Sequence, residues 1–251
     1  MSLRRFRRAV ALGLALALCL LRLLLARLRG PLTLKRRAQW MQTCGRIVSA
    51  GMGLRYEIHG RPPQTGLLVA NHLSYLDIVI LGTALPCCMV SKAEIGRWPL
   101  FGMMARAGGT LFVERSSRVS AETVTEQVAE RLRGPVPVLF FPEGTSTDGS
   151  QLLRFHSRLF DPAVVSGAPV TTATIRYVIE DSTPERELCW YGDALFLPHL
   201  WKALGTGGFT AEVYFGEPRV YTDRRAAADS TYAEIAAARA EDPCLEAQGV
   251  I

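Results

Sequence analysis

Acidic side chains are missing from the first 56 residues of this 251-residue chain; twelve Lys and Arg come before Glu57, the first carboxylate. The remainder holds 17 basic and 23 acidic residues, so the net charge of +6 is a basic arm on a mildly acidic body. Cysteine pairs at ligand spacing are missing too. Among Cys19, Cys44, Cys87, Cys88, Cys189 and Cys244 there is no C-x-x-C, and none neighbours a histidine. That excludes a zinc ribbon or a disulfide framework, predicts no metal site, and reads as reduced, buried thiols on the cytoplasmic side. No uncharged apolar run exceeds the 13 residues of 9–21, which excludes a polytopic membrane protein. Neither a G-x-S-x-G elbow nor a G-x-x-x-x-G-K-[ST] loop occurs, which disfavours a serine hydrolase and a nucleotide-loop enzyme. A hydrophobic fraction of 49% with only 21% charged residues excludes a disordered chain.

What is present begins with the arm. Arg4, Arg5, Arg7 and Arg8 precede the apolar run, and Arg22, Arg27, Arg29, Lys35, Arg36 and Arg37 follow it. No small-residue cleavage site of a secretory signal follows. Thirteen helical residues reach about 20 Å, short of a hydrocarbon core of about 30 Å. The pattern predicts an anchor lying in one leaflet with arginines at the headgroups, an uncleaved spanning anchor being the alternative. Leu and Ala occupy the places where a nucleic-acid-binding arm would carry polar or stacking residues, so no nucleic-acid partner is expected. After Gly30-Pro31 a second helical stripe runs through Leu34, Met41, Val48 and Met52, giving a membrane-associated helical hairpin over residues 1–53.

From residue 54 the period changes. Strands are expected at 54–58, 66–70, 87–91, 110–113, 136–141, 170–177, 188–191 and 211–215, and helices at 76–81, 99–107, 120–132 and 194–204. This alternation predicts an α/β domain over 54–220 with a mostly parallel sheet flanked by helices, and then a C-terminal helix and tail over 221–251.

Three strand-to-loop junctions carry chemistry. In Asn71-His72-Leu73-Ser74-Tyr75-Leu76-Asp77 an apolar run ends at His72. With His72 on a loop and Asp77 in the first helical turn, the carboxylate reaches the imidazole, which is how a general base is oriented. Otherwise Ser74 is an N-cap and Asp77 completes a capping box. In Phe141-Pro142-Glu143-Gly144-Thr145-Ser146, Glu143 is placed to accept from a polyol, and Gly144, Thr145 and the amides after them to approach an anion; the plainer reading is a turn with a surface acid. After the strand at 110–113 comes Arg115, whose forked donors match phosphate, and Lys92 ends another strand; singly each is a surface charge.

Taken in order, these segments resemble the glycerolipid acyltransferase family, and within it the lysophosphatidic acid acyltransferases. Asn71-His72-x4-Asp77 is similar to the family's first motif, Gly109 to Arg115 to its second with Glu114 where Asp is usual, and Phe141 to Ser146 to its third. Ala168-Pro169-Val170-Thr171-Thr172 follows the fourth loosely, and Ser91-Lys92-Ala93-Glu94 and Trp98-Pro99-Leu100-Phe101-Gly102 also look like family sequence. The match covers roughly residues 35–215.

The resemblance implies that His72 and Asp77 are a catalytic dyad and that Lys92, Arg115, Glu143, Gly144 and Thr145 bind the acceptor. It further implies transfer of an acyl group from acyl-CoA or acyl-carrier protein to lysophosphatidic acid, with no bound cofactor, at the cytoplasmic face of the membrane. One departure concerns the acceptor: Arg154-Phe155-His156-Ser157-Arg158 stands where many members have a Phe-Lys-Lys-Gly-like run. Acylation of lyso-ornithine lipid or another lysolipid therefore stays open, as do a hydrolase or thioesterase activating water and a non-catalytic membrane adaptor.

Overall fold

The computed structural model describes residues 3–113, 118–180 and 183–240. Helices α1 (Leu3–Leu28) and α2 (Leu34–Met52) lead into β1 (Arg55–His59), β2 (Leu67–Ala70), α3 (Leu76–Ala84), β3 (Cys88–Lys92), α4 (Ala93–Gly96), α5 (Phe101–Gly108) and β4 (Leu111–Val113). Then follow α6 (Arg118–Leu132), β5 (Val138–Phe140), α7 (Asp161–Ser166), β6 (Val170–Ile179), α8 (Phe196–Ala203), β7 (Phe209–Phe215) and α9 (Arg224–Ala240).

The seven strands form one sheet in the order β1-β7-β6-β2-β5-β3-β4, parallel throughout except where β6 meets β7. The expected α/β architecture is therefore present. Every residue of β2 is buried, as a central strand covered on both faces requires. Leu68 and Ala70 face a core shared with α3 and α8, while Leu67 and Val69 face one shared with α6, α7 and α9.

One strand expectation fails. Residues 188–191 follow a 3₁₀ turn at Glu185–Glu187 and pair with none of the described strands. Leu188 and Cys189 are buried, and the Trp190 amide donates to the Leu73 carbonyl at 2.8 Å in place of a strand partner. The arm also differs in extent. The helix takes in the arginines on either side of the apolar run, so α1 has 26 residues and a length of about 39 Å. By length and composition it is long and apolar enough to cross a membrane.

The hairpin packs on the sheet through α3. Thr33 caps α2, its hydroxyl accepting from the Arg36 amide, and the α2–α3 crossing is made at Gly45. A methyl group placed on Gly45 would lie 2.9 Å from the Gly82 carbonyl carbon and the Thr83 nitrogen, so the two backbones are as close as they can be. Gln42 and Arg46 complete this contact by donating to the Thr83 carbonyl at 3.3 and 3.4 Å. Gly45→Ala is therefore expected to destabilise the fold by about 1–3 kcal/mol, despite alanine's better helix propensity, because the α3 backbone has to move. Thermal unfolding of the two proteins checks this, and a higher Tm in the variant would contradict so tight a crossing.

Candidate active site

The parallel strands β2, β5, β3 and β4 all point their carboxyl ends to one edge, the place where open α/β sheets bind ligands. The pairing of Val69 with Phe140 brings the chain leaving β2 beside the chain leaving β5, and hence His72 beside Glu143. His72 Nδ1 lies 2.8 Å from Asp77 Oδ2. The histidine side chain is 18% exposed and that of Asp77 is completely buried. Phe141 stacks on the imidazole at 4.0 Å between ring centres and 12° between planes, fixing the ring's plane as the carboxylate fixes its edge. As a carboxylate, Asp77 only accepts, so the proton sits on Nδ1 and Nε2 keeps a lone pair.

Asp77 has four donors. Besides His72, the amides of Leu73 and Ser74 donate to Oδ2 at 2.7 and 3.0 Å, and the Tyr177 hydroxyl donates to Oδ1. Burial, and then the Asp77 charge, push the Tyr177 phenol well above its ordinary value, so it keeps its proton and donates. The expected capping arrangement is thereby corrected. The Ser74 hydroxyl is buried and makes no cap bond; it is the Asp77 carboxylate that reaches back to satisfy the amides ahead of α3. The reason is geometric: the helix begins at Leu76, which puts Asp77 in the first turn with its side chain under the loop.

Glu143 is 3% exposed. Its Oε1 accepts from the His72 amide at 2.7 Å and its Oε2 from the Leu153 amide at 2.9 Å. Burial pushes its carboxyl above the ordinary range against the pull of these two amides. Neither a surface acid nor a carboxylate open to a polyol is what the structure shows, since both oxygens hold backbone on the inner side of the His72 loop. Gly144 adopts a φ of +77° as its amide closes a turn on the Phe141 carbonyl, and Thr145 is exposed at the same edge. Lys92 is exposed at the end of β3, opposite Val113 of β4. Arg115, two residues beyond Val113, lies outside the described residues.

Some supporting contacts gave no signal in the sequence. The Asn71 side chain both donates to the Ile175 carbonyl at 3.1 Å and accepts from its amide at 2.7 Å, continuing the β2–β6 ladder one residue past β2. Arg239 of α9 donates to the same Ile175 carbonyl, to Gly149 and to Glu185, and Glu185 in turn accepts from the Tyr177 amide. The partners of Asn71 and Arg239 lie 54 to 104 positions away from them, beyond any local pattern. Beside the dyad, Phe196 sits at the centre of an aromatic wall, its ring 4.9 Å from Tyr75 and 5.4 Å from both Trp98 and Phe101.

A family model for acyltransferases matches residues 55–176, the stretch that carries this site. The lyso-ornithine lipid O-acyltransferase of Rhodobacter capsulatus is 39% identical over 184 residues, covering 71% of this chain and 66% of that protein, just under two thirds of its length. That of Pseudomonas aeruginosa is 36% identical over 200 residues, 78% of this chain and 74% of the relative. The 1-acyl-sn-glycerol-3-phosphate acyltransferase of Neisseria meningitidis is 34% identical over 206 residues, 79% of this chain and 80% of the relative. In fold, the crystal structure of the 1-acyl-sn-glycerophosphate acyltransferase PlsC from Thermotoga maritima superposes with a TM-score of 0.68, covering 96% of each chain at 16% identity. The chain thus belongs to the lipid acyltransferase family that includes the lysophosphatidic acid acyltransferases.

The geometry of Glu143 separates two roles. In Glu143→Gln the amide NH₂ must face one of the two backbone donors, so one hydrogen bond is lost and the His72 loop loosens. The expected result is a fall in kcat of about tenfold or more with the acceptor KM changed by less than about twofold. A variant with unchanged kcat and a raised KM would return Glu143 to acceptor binding.

Proposed function

We propose that this chain transfers an acyl group from an acyl thioester to the free hydroxyl of a lysolipid, with His72 as general base. The observation that carries this reading is the His72–Asp77 contact at the carboxyl edge, with Nε2 left free to take a proton. An alcohol with a pKa of about 15 does not attack a thioester unaided, and removal of its proton during attack contributes about 10²–10⁴ in rate. In the forward step the acceptor oxygen bonds to the thioester carbonyl carbon and its proton passes to Nε2. The C–S bond then breaks, and the proton goes on to the departing thiolate. Asp77 holds the imidazole and stabilises its charged form. The thioester is already activated, so Ser74 is not needed as a nucleophile, and its burial agrees with that. Acyl-CoA and acyl-carrier protein both supply such a thioester.

Two acceptors fit the family. The relatives at 39% and 36% identity are named for lyso-ornithine lipid, and this chain carries Arg154-Phe155-His156-Ser157-Arg158 in place of the lysine-containing run. These favour lyso-ornithine lipid, whose headgroup offers a carboxylate to arginine. Lysophosphatidic acid is the second reading, favoured by the relative at 34% identity and by Arg115 after β4.

A lipid acceptor requires a lipid surface, and α1 is suited to lie along one on the cytoplasmic side. Arg8 at its start donates to the Leu204 and Thr206 carbonyls at 3.3 and 2.9 Å. Toward its end, Trp40 donates to the Cys19 carbonyl at 3.1 Å and Leu23 is buried with Met104. Tied to the body at both ends, α1 turns Leu14, Leu18, Leu21, Leu25 and Leu28 outward in one stripe, which suits an in-plane anchor better than a span.

Membranes carrying the wild type or His72→Ala, given an acyl-thioester donor with lyso-ornithine lipid, lysophosphatidic acid or no acceptor, test the reading. Thiol release and product mass are followed together. Wild type is expected to release thiol only with acceptor and to form more product from lyso-ornithine lipid, while His72→Ala loses about 10²-fold or more. Near-normal turnover in the variant would remove the dyad assignment, and thiol release without acceptor would make the protein a thioesterase.

A further inference from the structure

The turn between α1 and α2 meets the end of α5 around a cavity of about 750 Å³, within the range of small-ligand sites. Arg27, Arg37 and Arg106 line it together with Pro31, Leu32 and Met103. The cavity is not part of the active site. Helix α5 runs from the carboxyl end of β3 back to the start of β4, so Arg106 lies at the opposite edge of the sheet from His72.

Among the described residues the three charges have no counter-charge, and none of them pairs with a carboxylate. Arg37 donates to the Ala107 carbonyl at 2.8 Å and to the Arg106 carbonyl, while Arg106 donates to the Gly96 carbonyl. Those bonds fix the two guanidinium groups in place, and each keeps donors to spare from its five N–H bonds. Arg27 is exposed on the last turn of α1 and makes no side-chain bond in the described structure. Fixed forked donors, surplus positive charge and no acid are the chemistry that receives phosphate. The apolar share of the lining points to a phosphate that carries a hydrocarbon tail. Met103 is 43% exposed, and the site lies where the outward leucine stripe of α1 ends at Leu28.

We propose that this cavity binds the phosphate headgroup of an anionic phospholipid at a site separate from the acceptor site. Its acyl chain would lie along Leu32 and Met103. The inference rests on the membrane-facing reading of α1 for the source of the phosphate, and not on which lysolipid is acylated. The site would hold the α1–α2 turn at the headgroup level while the other end of α1 stays beside the active edge.

The test uses the full chain in a neutral detergent and calorimetric titration with dihexanoyl-phosphatidylglycerol below its micelle concentration, a lipid that is neither acceptor nor product of the proposed reaction. Saturable binding is expected, weakened about tenfold or more in Arg27→Gln/Arg106→Gln and about threefold in Arg27→Gln, a variant that leaves every described packing contact in place. His72→Ala is expected to bind as the wild type does. Dihexanoyl-phosphatidylcholine is expected to bind at least about fivefold more weakly. Equal binding by the double variant, or by the zwitterionic lipid, overturns the proposal. So does loss of binding in His72→Ala, which would place the lipid at the dyad. Inorganic phosphate displacing the lipid at equal concentration would make this a site for free phosphate and overturn the lipid assignment.

Discussion

A carboxylate taken wholly out of water is tolerable only when donors replace the water, and the structure around Asp77 is organised by that demand. Two of its four donors are amides of the loop that carries His72, so the charge that orients the imidazole also shapes the backbone on which the imidazole stands. The fourth, Tyr177, belongs to β6, which ties the loop after β2 to the neighbouring strand. A hydrogen bond to a charged group contributes about 1.5–3 kcal/mol, and a buried charge deprived of one loses more than that bond. Placement of His72 is thereby coupled to closure of the sheet's carboxyl edge. Glu143 repeats the device at smaller scale, its two oxygens joining the His72 amide to the segment after β5.

This dependence explains which parts were legible in the sequence. The β2 run 67–70, the break at Asn71 and the five-residue step from His72 to Asp77 are local, and a sheet with its helices follows from such periods. The His72–Asp77 contact was legible because a loop followed by a helical turn can bring those two positions together. The part played by Glu143 was not. A glutamate after an apolar strand reads as exposed until β5 is known to sit beside β2, and only that adjacency turns it inward onto the His72 amide. The segment 188–191 misled for the same reason. Its apolar residues answer to the loop over Leu73 and not to a strand partner, and local alternation has no means of telling these apart.

Arg239 shows how far the site's support extends. A single guanidinium on the C-terminal helix joins Ile175, Gly149 and Glu185, and Glu185 passes the constraint on to the Tyr177 amide. Asn71 grips Ile175 from the opposite side. The C-terminal helix is thus tied to the strand that holds the fourth donor to Asp77. No run of residues near position 239 reports this, because the partner carbonyls are features of the fold and not of side-chain type.

On the proposed reaction, the hairpin meets the complementary problem of bringing a lipid hydroxyl to His72. A spanning anchor on a flexible tether would leave the orientation of the body free. Here α1 is held at both ends, and the crossing at Gly45 and Gly82 leaves no space for α2 to slide on α3, whose first turn contains Asp77. The angle between the outward leucine stripe and the active edge is therefore built into the packing. The aromatic wall around Phe196 meets Tyr75 of the loop that follows His72, and Leu195 and Leu197 on either side of Phe196 are exposed 72% and 71%. Apolar surface of that extent is costly in water and stabilising against hydrocarbon, so the features that raise the chain's mean hydropathy to +0.14 agree with the proposed lipid acceptor.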